Sequence, residues 1–290
     1  MHSRRSFELM LPGGRALKLG ARTLVMGVIN ATPDSFSDGG VLLDPGRAVD
    51  AGLRMVDAGA DILDIGGEST RPGADAVPAS EELARVLPAI EALVGRITVP
   101  LSIDTYKADV ADAAMKAGAA IINDVSGLRY DAALGEVAAR HEAGLVLMHT
   151  RGRSRDMYRE AIYHDLIAEV LDELRESVAF ATGAGVSRGR IIVDPGLGFA
   201  KEAPHSYEAL ARLHEFGDLG QPLLVGPSRK SFLTRPFDQP IPAAERDWLT
   251  AAAVTTAVLE GAHIVRVHAV EEMVQVVRVA DEIRRYHQEP

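Results

Sequence analysis

The sequence predicts an α/β protein, a (β/α)8 TIM barrel, on three observations. Eight short runs rich in Val and Ile alternate with Ala-rich amphipathic stretches. Strand–helix alternation of this kind implies βα units and a parallel sheet, and eight units in roughly 250 residues is the length of a closed barrel. Polar and charged residues then fall where the apolar runs end, the face on which such barrels carry their sites. A doubly wound open sheet is the competing architecture, but the Gly-rich turn expected after its first strand is missing.

The chain opens with "FELMLPGGRALKLG" (7–20), which reads as a β-hairpin turning at Pro-Gly-Gly. We expect it to plug the bottom of the barrel. The eight strand candidates follow: "TLVMGVI" (23–29), "DILDIGG" (61–67), "PLSID" (100–104), "AIIND" (120–124), "GLVLMH" (144–149), "RIIVD" (190–194), "PLLVG" (222–226) and "AHIVRVH" (262–268). Helical patterns between them include "GRAVDAGLRMVDAGA", "SEELARVLPAIEALVG", "KADVADAAMKAGA", "YDAALGEVAARHEAG", "YHDLIAEVLDELRESVAFATGAG" and "VEEMVQVVRVADEIRRY". Stop signals are expected at or near Gly59, Gly95, Gly118, Gly144, Gly183 and Gly261. Ser80, ahead of Glu81 and Glu82, reads as an N-cap with acids in the first turn. Residues 233–247 carry three prolines and form a long loop rather than a boundary. With no linker or low-complexity segment, residues 1–290 are expected to form one domain.

Composition narrows the partners. Among 290 residues, Lys and Arg number 31 against 41 Asp and Glu, a net charge of −10. That balance argues against a nucleic-acid-binding surface but leaves room for a local basic pocket around a small anion. The absence of cysteine removes disulfides, thiolate metal sites and thiol nucleophiles. The apolar stretch near the start is cut short at Pro12-Gly13-Gly14, too early for a signal-peptide core. The run "LTAAAVTTAVL" (249–259) is too short to span a bilayer. A cytoplasmic protein without membrane contact is expected.

The strand ends carry the chemistry. They present Asn30, Glu68 to Arg71, Asp104, Asn123 and Asp124, His149, Asp194, Ser228 to Lys230, and Arg266 with His268. Arg266 and His268 are two apart on one strand and so share a face. Both can donate to phosphate oxygens, and Asn30 could offer a carbonyl oxygen to a Mg²⁺ that the phosphates also bind. This wall suits a phosphorylated ligand. Asp104, Asn123 and Asp194 form a second set, able to accept and donate across the edge of an amino-pyrimidinone ring, with Lys230 as a further donor. A carboxylate after an apolar run such as "RIIVD" is expensive without a partner, which favours a ligand-binding Asp194 over a turn residue. No Ser-His-Asp elbow, HExxH or P-loop is present.

Six strings in order, "NATPDSFSDGG", "DIGGESTRPGA", "SIDTYKADVADAAMKAGAAIINDVSG", "DPGLGFAK", "GPSRKSFL" and "RVH", resemble the dihydropteroate synthase family over about residues 22–285. The resemblance implies a (β/α)8 barrel, a homodimer, and the condensation of (7,8-dihydropterin-6-yl)methyl diphosphate with 4-aminobenzoate. That is the sulfonamide-sensitive step of folate biosynthesis. By motif it implies that Asp104, Asn123, Asp194 and Lys230 hold the pterin. Asn30, Arg71, Arg266 and His268 would hold the diphosphate with Mg²⁺, and Phe36, Thr70, Pro72 and Ser231 would line the aminobenzoate site. Phe199, in "DPGLGFAK", joins the substrate-binding set. The catalytic set is Asp38, Arg71, Lys230, Arg266 and His268, with Asp38 facing the cation left when pyrophosphate departs. Three departures from the family pattern stand out: Ala269 where Asp usually follows Arg-Val-His, "LMHTRG" at the end of strand five, and "GRSRDM" after it. A methyltetrahydrofolate methyltransferase barrel and a non-catalytic pterin-binding paralogue are the alternatives. The first would need neither the Arg-His pair nor "TPDSFSDGG"; Ala269 keeps the second open.

The loop after strand one is too long for a mere connector. It is expected to close over substrate and open for product, bringing Phe36 against the aminobenzoate ring and Asp38 to the cation.

Overall fold

The computed structural model describes residues 4–31, 45–70 and 73–288. Strands β1 (Phe7–Met10) and β2 (Ala16–Leu19) pair antiparallel, with Phe7 opposite Leu19. Gly13 and Gly14, both at positive φ, complete the turn at Pro12–Gly14. Eight parallel strands follow: β3 (Leu24–Asn30), β4 (Ile62–Gly66), β5 (Leu101–Asp104), β6 (Ile121–Asp124), β7 (Gly144–Met148), β8 (Ile191–Asp194), β9 (Leu224–Val225) and β10 (Ile264–Val267). They lie in the order β8-β7-β6-β5-β4-β3-β10-β9. The ring closes where Val193 bridges Leu223 and donates to the Pro222 carbonyl at 3.0 Å. Strand β9 is shorter than the expected run 222–226, because Pro222 and Pro227 bracket it and neither has an N–H to give.

Eight α-helices alternate with the strands among the described residues: α1 (Pro45–Asp57), α2 (Ala79–Val94), α3 (Ala108–Lys116), α4 (Ala133–Arg140), α5 (Leu166–Gly183), α6 (Ala203–Ala211), α7 (Asp247–Leu259) and α8 (Val270–Gln288). The expected stops hold at Gly95, the C-cap of α2, at Gly183, the last residue of α5, and at Gly59, Gly118 and Gly261, which take positive φ. Gly144 differs: it opens β7, while α4 ends earlier, with Glu142 at φ +51°. The Ser80 N-cap is also corrected: α2 starts at Ala79, and the Glu81 and Glu82 N–H groups bond the Pro78 carbonyl, so Ser80 lies inside the first turn.

The hairpin does plug the bottom. Leu9, Leu11 and Leu19 are buried against Met26, Ile62, Ile121, Val146, Ile192, Leu224 and Ile264. Two residues further along four of these strands the same face turns polar: Ile62 gives way to Asp64, Ile121 to Asn123, Ile192 to Asp194 and Ile264 to Arg266. A strand's side-chain period of two places each pair on one side of the sheet. No helix among the described residues is long and apolar enough to cross a membrane.

Candidate active site

At the C-terminal ends of β4, β5, β6 and β10, four side chains interlock. Arg266 donates from Nε to Asp64 Oδ2 and from Nη2 to Asp104 Oδ2, both at 2.6 Å. Asn123 Nδ2 donates to the same Asp64 oxygen at 3.0 Å. Asp64 is fully buried and Asp104 nearly so. The remaining oxygen of each, Oδ1, is buried without a hydrogen-bond partner among the described residues. Unpaired buried acceptors are costly in a folded protein, so this pair is open to N–H donors from a ligand. Burial pushes the Asp104 carboxyl well above the usual range, against the pull of Arg266. Gly66 brings the β4 backbone close, since a Cβ there would lie 3.4 Å from Asp104 Cβ.

The loop after β8 supplies the next wall. Asp194 Oδ1 accepts the Gly196 N–H at 2.7 Å, and burial raises its carboxyl to about 6 despite that bond and the nearby lysines. Gly196 sits at φ +70°, and a Cβ there would fall 2.0 Å from the His149 carbonyl oxygen, so no side chain fits. Phe199 is half-buried, with Lys230 Nζ 3.9 Å from its ring centroid. Lys230 follows a strained residue: Arg229 stands at φ +57°. Asp247 holds the Arg229 guanidinium through two bonds of 2.8 Å, and Thr250 and Arg246 bond its backbone. Left-handed backbone at a bulky residue persists only where its surroundings over-determine it. Here they fix the direction from which Lys230 enters.

His268 follows β10. Ser228 Oγ accepts the His268 backbone N–H at 3.1 Å and lies 2.9 Å from Nδ1. Where Ser228 donates its proton to Nδ1, the ring proton sits on Nε2. Asn30 ends β3, half-buried; Thr70 is half-buried and Ser231 exposed. Ser231 opens a 3-10 turn, Ser231–Thr234. Phe36, Asp38, Arg71 and Pro72 lie outside the described residues.

The structure thus brings Asp104, Asn123 and Arg266 into one cluster, and Asp194, Phe199 and Lys230 into the neighbouring β8–β9 wall. It commits two arms of Arg266 to carboxylates, where the sequence suggested a diphosphate ligand. Two residues escaped the sequence reading. Asp64 was absorbed into the apolar run "DILDIGG", although an acid inside a buried strand is itself a signal. Lys201 closes "DPGLGFAK" and is 1% exposed. No group of three His, Asp or Glu among the described residues could hold a metal by itself.

A family model described as pterin binding enzyme matches residues 26–268. The chain is 48% identical over 280 residues to the dihydropteroate synthase of Synechocystis sp., covering 96% of each. The solved structure of Xanthomonas albilineans dihydropteroate synthase with 4-aminobenzoic acid is similar at a TM-score of 0.89 and 42% identity, covering 99% of this chain and all of that one. A Yersinia pestis dihydropteroate synthase in complex with a sulfonamide drug is similar at a TM-score of 0.90 and 39% identity, covering 96% of this chain and all of that one. Matched from the first barrel strand to His268, the chain belongs to the pterin binding enzyme family.

Proposed function

We propose that the chain condenses (7,8-dihydropterin-6-yl)methyl diphosphate with 4-aminobenzoate, giving 7,8-dihydropteroate and pyrophosphate. The observation that carries this reading is the cluster of Asp64, Asp104, Asn123 and Arg266, with its two unpartnered carboxylate oxygens. A dihydropterin offers amino and ring N–H donors to such acceptors, and Lys230 can donate to its carbonyl or ring nitrogen. The names and ligands of the similar proteins point the same way.

Loss of pyrophosphate leaves positive charge on the pterin methylene. The aniline nitrogen of aminobenzoate is a weak nucleophile, so bond breaking runs ahead of bond making. The chain's task is to hold the ring, stabilise the departing charge and exclude water. His268 donates from Nε2 to a diphosphate oxygen, and Arg71 with the remaining arm of Arg266 adds positive charge. Phe36, Thr70, Pro72 and Ser231 border the aminobenzoate, and Asp38 faces the cation. Mg²⁺ would be held mainly by the diphosphate and water, with Asn30 offering one carbonyl oxygen. When bound, such an ion neutralises charge on the leaving group.

Residues 1–290 are read as one cytoplasmic domain, its apolar core running from Val25 to Ala280. A homodimer is supported by adjacent helices α7 and α8, which expose Trp248 and, at helical spacing, Val279, Ile283 and Tyr286. Sedimentation as a monomer at micromolar concentration would count against it.

The test is turnover. The purified chain with Mg²⁺ and both substrates should release pyrophosphate and dihydropteroate in equal amounts, and a sulfonamide should compete with 4-aminobenzoate. Tight pterin binding without pyrophosphate release would contradict the reading and favour a non-catalytic pterin binder.

A further inference from the structure

Behind the pterin wall lies a charge that the proposed reaction does not use. Lys201 is 1% exposed, one of the largest fully buried side chains among the described residues. Its Nζ lies 2.7 Å from His149 Nδ1 and 3.2 Å from the Phe199 carbonyl oxygen. His149 Nε2 lies 3.1 Å from Glu173 Oε2 on α5. An ammonium can only donate, so Nδ1 accepts and Nε2 carries the proton toward Glu173. The result is a directed chain from a buried cation through a neutral imidazole to a carboxylate.

Lys201 reaches the two pterin-assigned residues by separate contacts: Phe199 through its carbonyl, and Asp194 through His149, whose backbone N–H donates to the Asp194 carbonyl at 2.9 Å. Phe199, whose carbonyl Lys201 holds, presents its ring to the Lys230 ammonium. The loop from Asp194 to Lys201 contains three residues at positive φ, Gly196, Gly198 and Ala200, and the Ala200 carbonyl is held by Tyr163 at 2.9 Å. We propose that Lys201 is a positioning residue: from behind the pocket its ammonium fixes the Phe199 carbonyl and keeps the Asp194 carboxylate ionised for the ligand. This rests on the reading that Asp194 accepts N–H groups of the pterin.

The charges around the pair agree. Asp194 on β8 and Glu173 on α5 favour the Lys201 ammonium electrostatically, Arg151 and Arg129 oppose it, and the Tyr163 ring is 6.0 Å away. Burial lowers its ammonium to about 7, with Asp194 and Glu173 pulling the other way. Burial, and then Lys201 itself, lower His149 to about 3, so the imidazole stays neutral. Asp194, raised by burial to about 6, is drawn down by the Gly196 N–H, Lys230, Lys201 and Arg266. Lys201 is thus among the charges that draw the Asp194 proton off. It touches the ligand nowhere in this scheme and acts only through Asp194 and Phe199.

The experiment is calorimetric titration with hydroxymethylpterin from pH 5 to pH 8.5. Binding that needs the Asp194 carboxylate weakens on the acid side; Asp104, also raised by burial, adds a part of its own that a Lys201 substitution leaves in place. Lys201→Met removes the helping charge, so that acid limb should move up by about one pH unit or more, the usual reach of one buried opposite charge. A limb that stays in place, even with weaker overall binding, overturns the proposal, because a purely structural lysine would not move it. If Lys201→Met fails to fold, Lys201→Gln keeps an N–H donor for the Phe199 carbonyl and His149 Nδ1 and removes the charge. It should move the limb the same way, and an unmoved limb again overturns the proposal. Asp194→Asn separates the two readings. Should it bind the pterin with the native pH profile, the assignment of Asp194 fails; should it lose the pterin while Lys201→Met keeps the native limb, only the Lys201 inference fails.

Discussion

The two ends of the barrel are built from the same strands and obey opposite rules. At the bottom, Leu9, Leu11 and Leu19 of the hairpin meet Ile62, Ile121, Ile192 and Ile264 in a layer without charge. Two residues up, the same faces carry Asp64, Asn123, Asp194 and Arg266. The bottom satisfies packing and nothing else. The top holds buried carboxyls, three of them, Asp64, Asp104 and Glu82, with an oxygen that has no partner among the described residues. A fold selected only for stability would not place them there, since a well-packed apolar layer of similar volume is often at least as stable as a buried ion pair. The contrast separates what the barrel needs to fold from what it keeps for a ligand.

The largest expected effect breaks the top. Arg266→Met leaves Asp64 and Asp104 buried without their cation and should cost about 3–5 kcal/mol at pH 8, measured by urea unfolding, with turnover lost. The sign of its pH dependence is fixed by Asp104, whose folded carboxyl is already raised above its unfolded value. A raised acid binds its proton more tightly when folded, so stability falls as pH rises from about 4 through the folded value. The loss in Arg266→Met should therefore shrink toward pH 5, where Asp104 can protonate.

The bottom should respond in the complementary way. Leu9→Ala removes a plug residue and should cost about 2–4 kcal/mol by the same unfolding measurement. Its KM for both substrates, measured on folded protein, should stay native, because Leu9 packs only against the apolar layer. A changed pterin KM would mean that the two ends are not independent.

The smallest effect concerns Ala269. Its carbonyl accepts the Met273 N–H at 3.0 Å, which places it at the start of α8. The carboxylate usual there in the family would sit at a helix N-terminus, where Asp caps well. Ala269→Asp should add about 1 kcal/mol by thermal unfolding and leave kcat within about twofold. A large gain in kcat would instead make Ala269 a catalytic defect.

Much of this division was legible in the sequence. The alternation of short apolar runs with amphipathic helical stretches gave the barrel and its order, and Pro-Gly-Gly gave the hairpin. Asp104, Asn123, Asp194 and Arg266 could be placed because each stands at the polar end of an apolar run. Asp64 stands inside its run, so a reading of strands by their hydrophobicity passed over it. Lys201 was missed because its partners, His149 and Glu173, are 52 and 28 residues earlier in the chain and meet it only through the fold. The Ser80 N-cap failed because α2 already starts at Ala79, with the Pro78 carbonyl accepting the first-turn N–H groups.

The most direct test of the contrast is one sample of Asp194→Asn at pH 8, melted and titrated with hydroxymethylpterin. Burial has raised the Asp194 carboxyl to about 6, from about 4 in an unfolded chain. Its charge therefore costs the folded state on the order of 2–3 kcal/mol above that pH. The amide can still accept the Gly196 N–H. The account expects a higher melting temperature together with lost pterin affinity; a lower melting temperature with native affinity would contradict it.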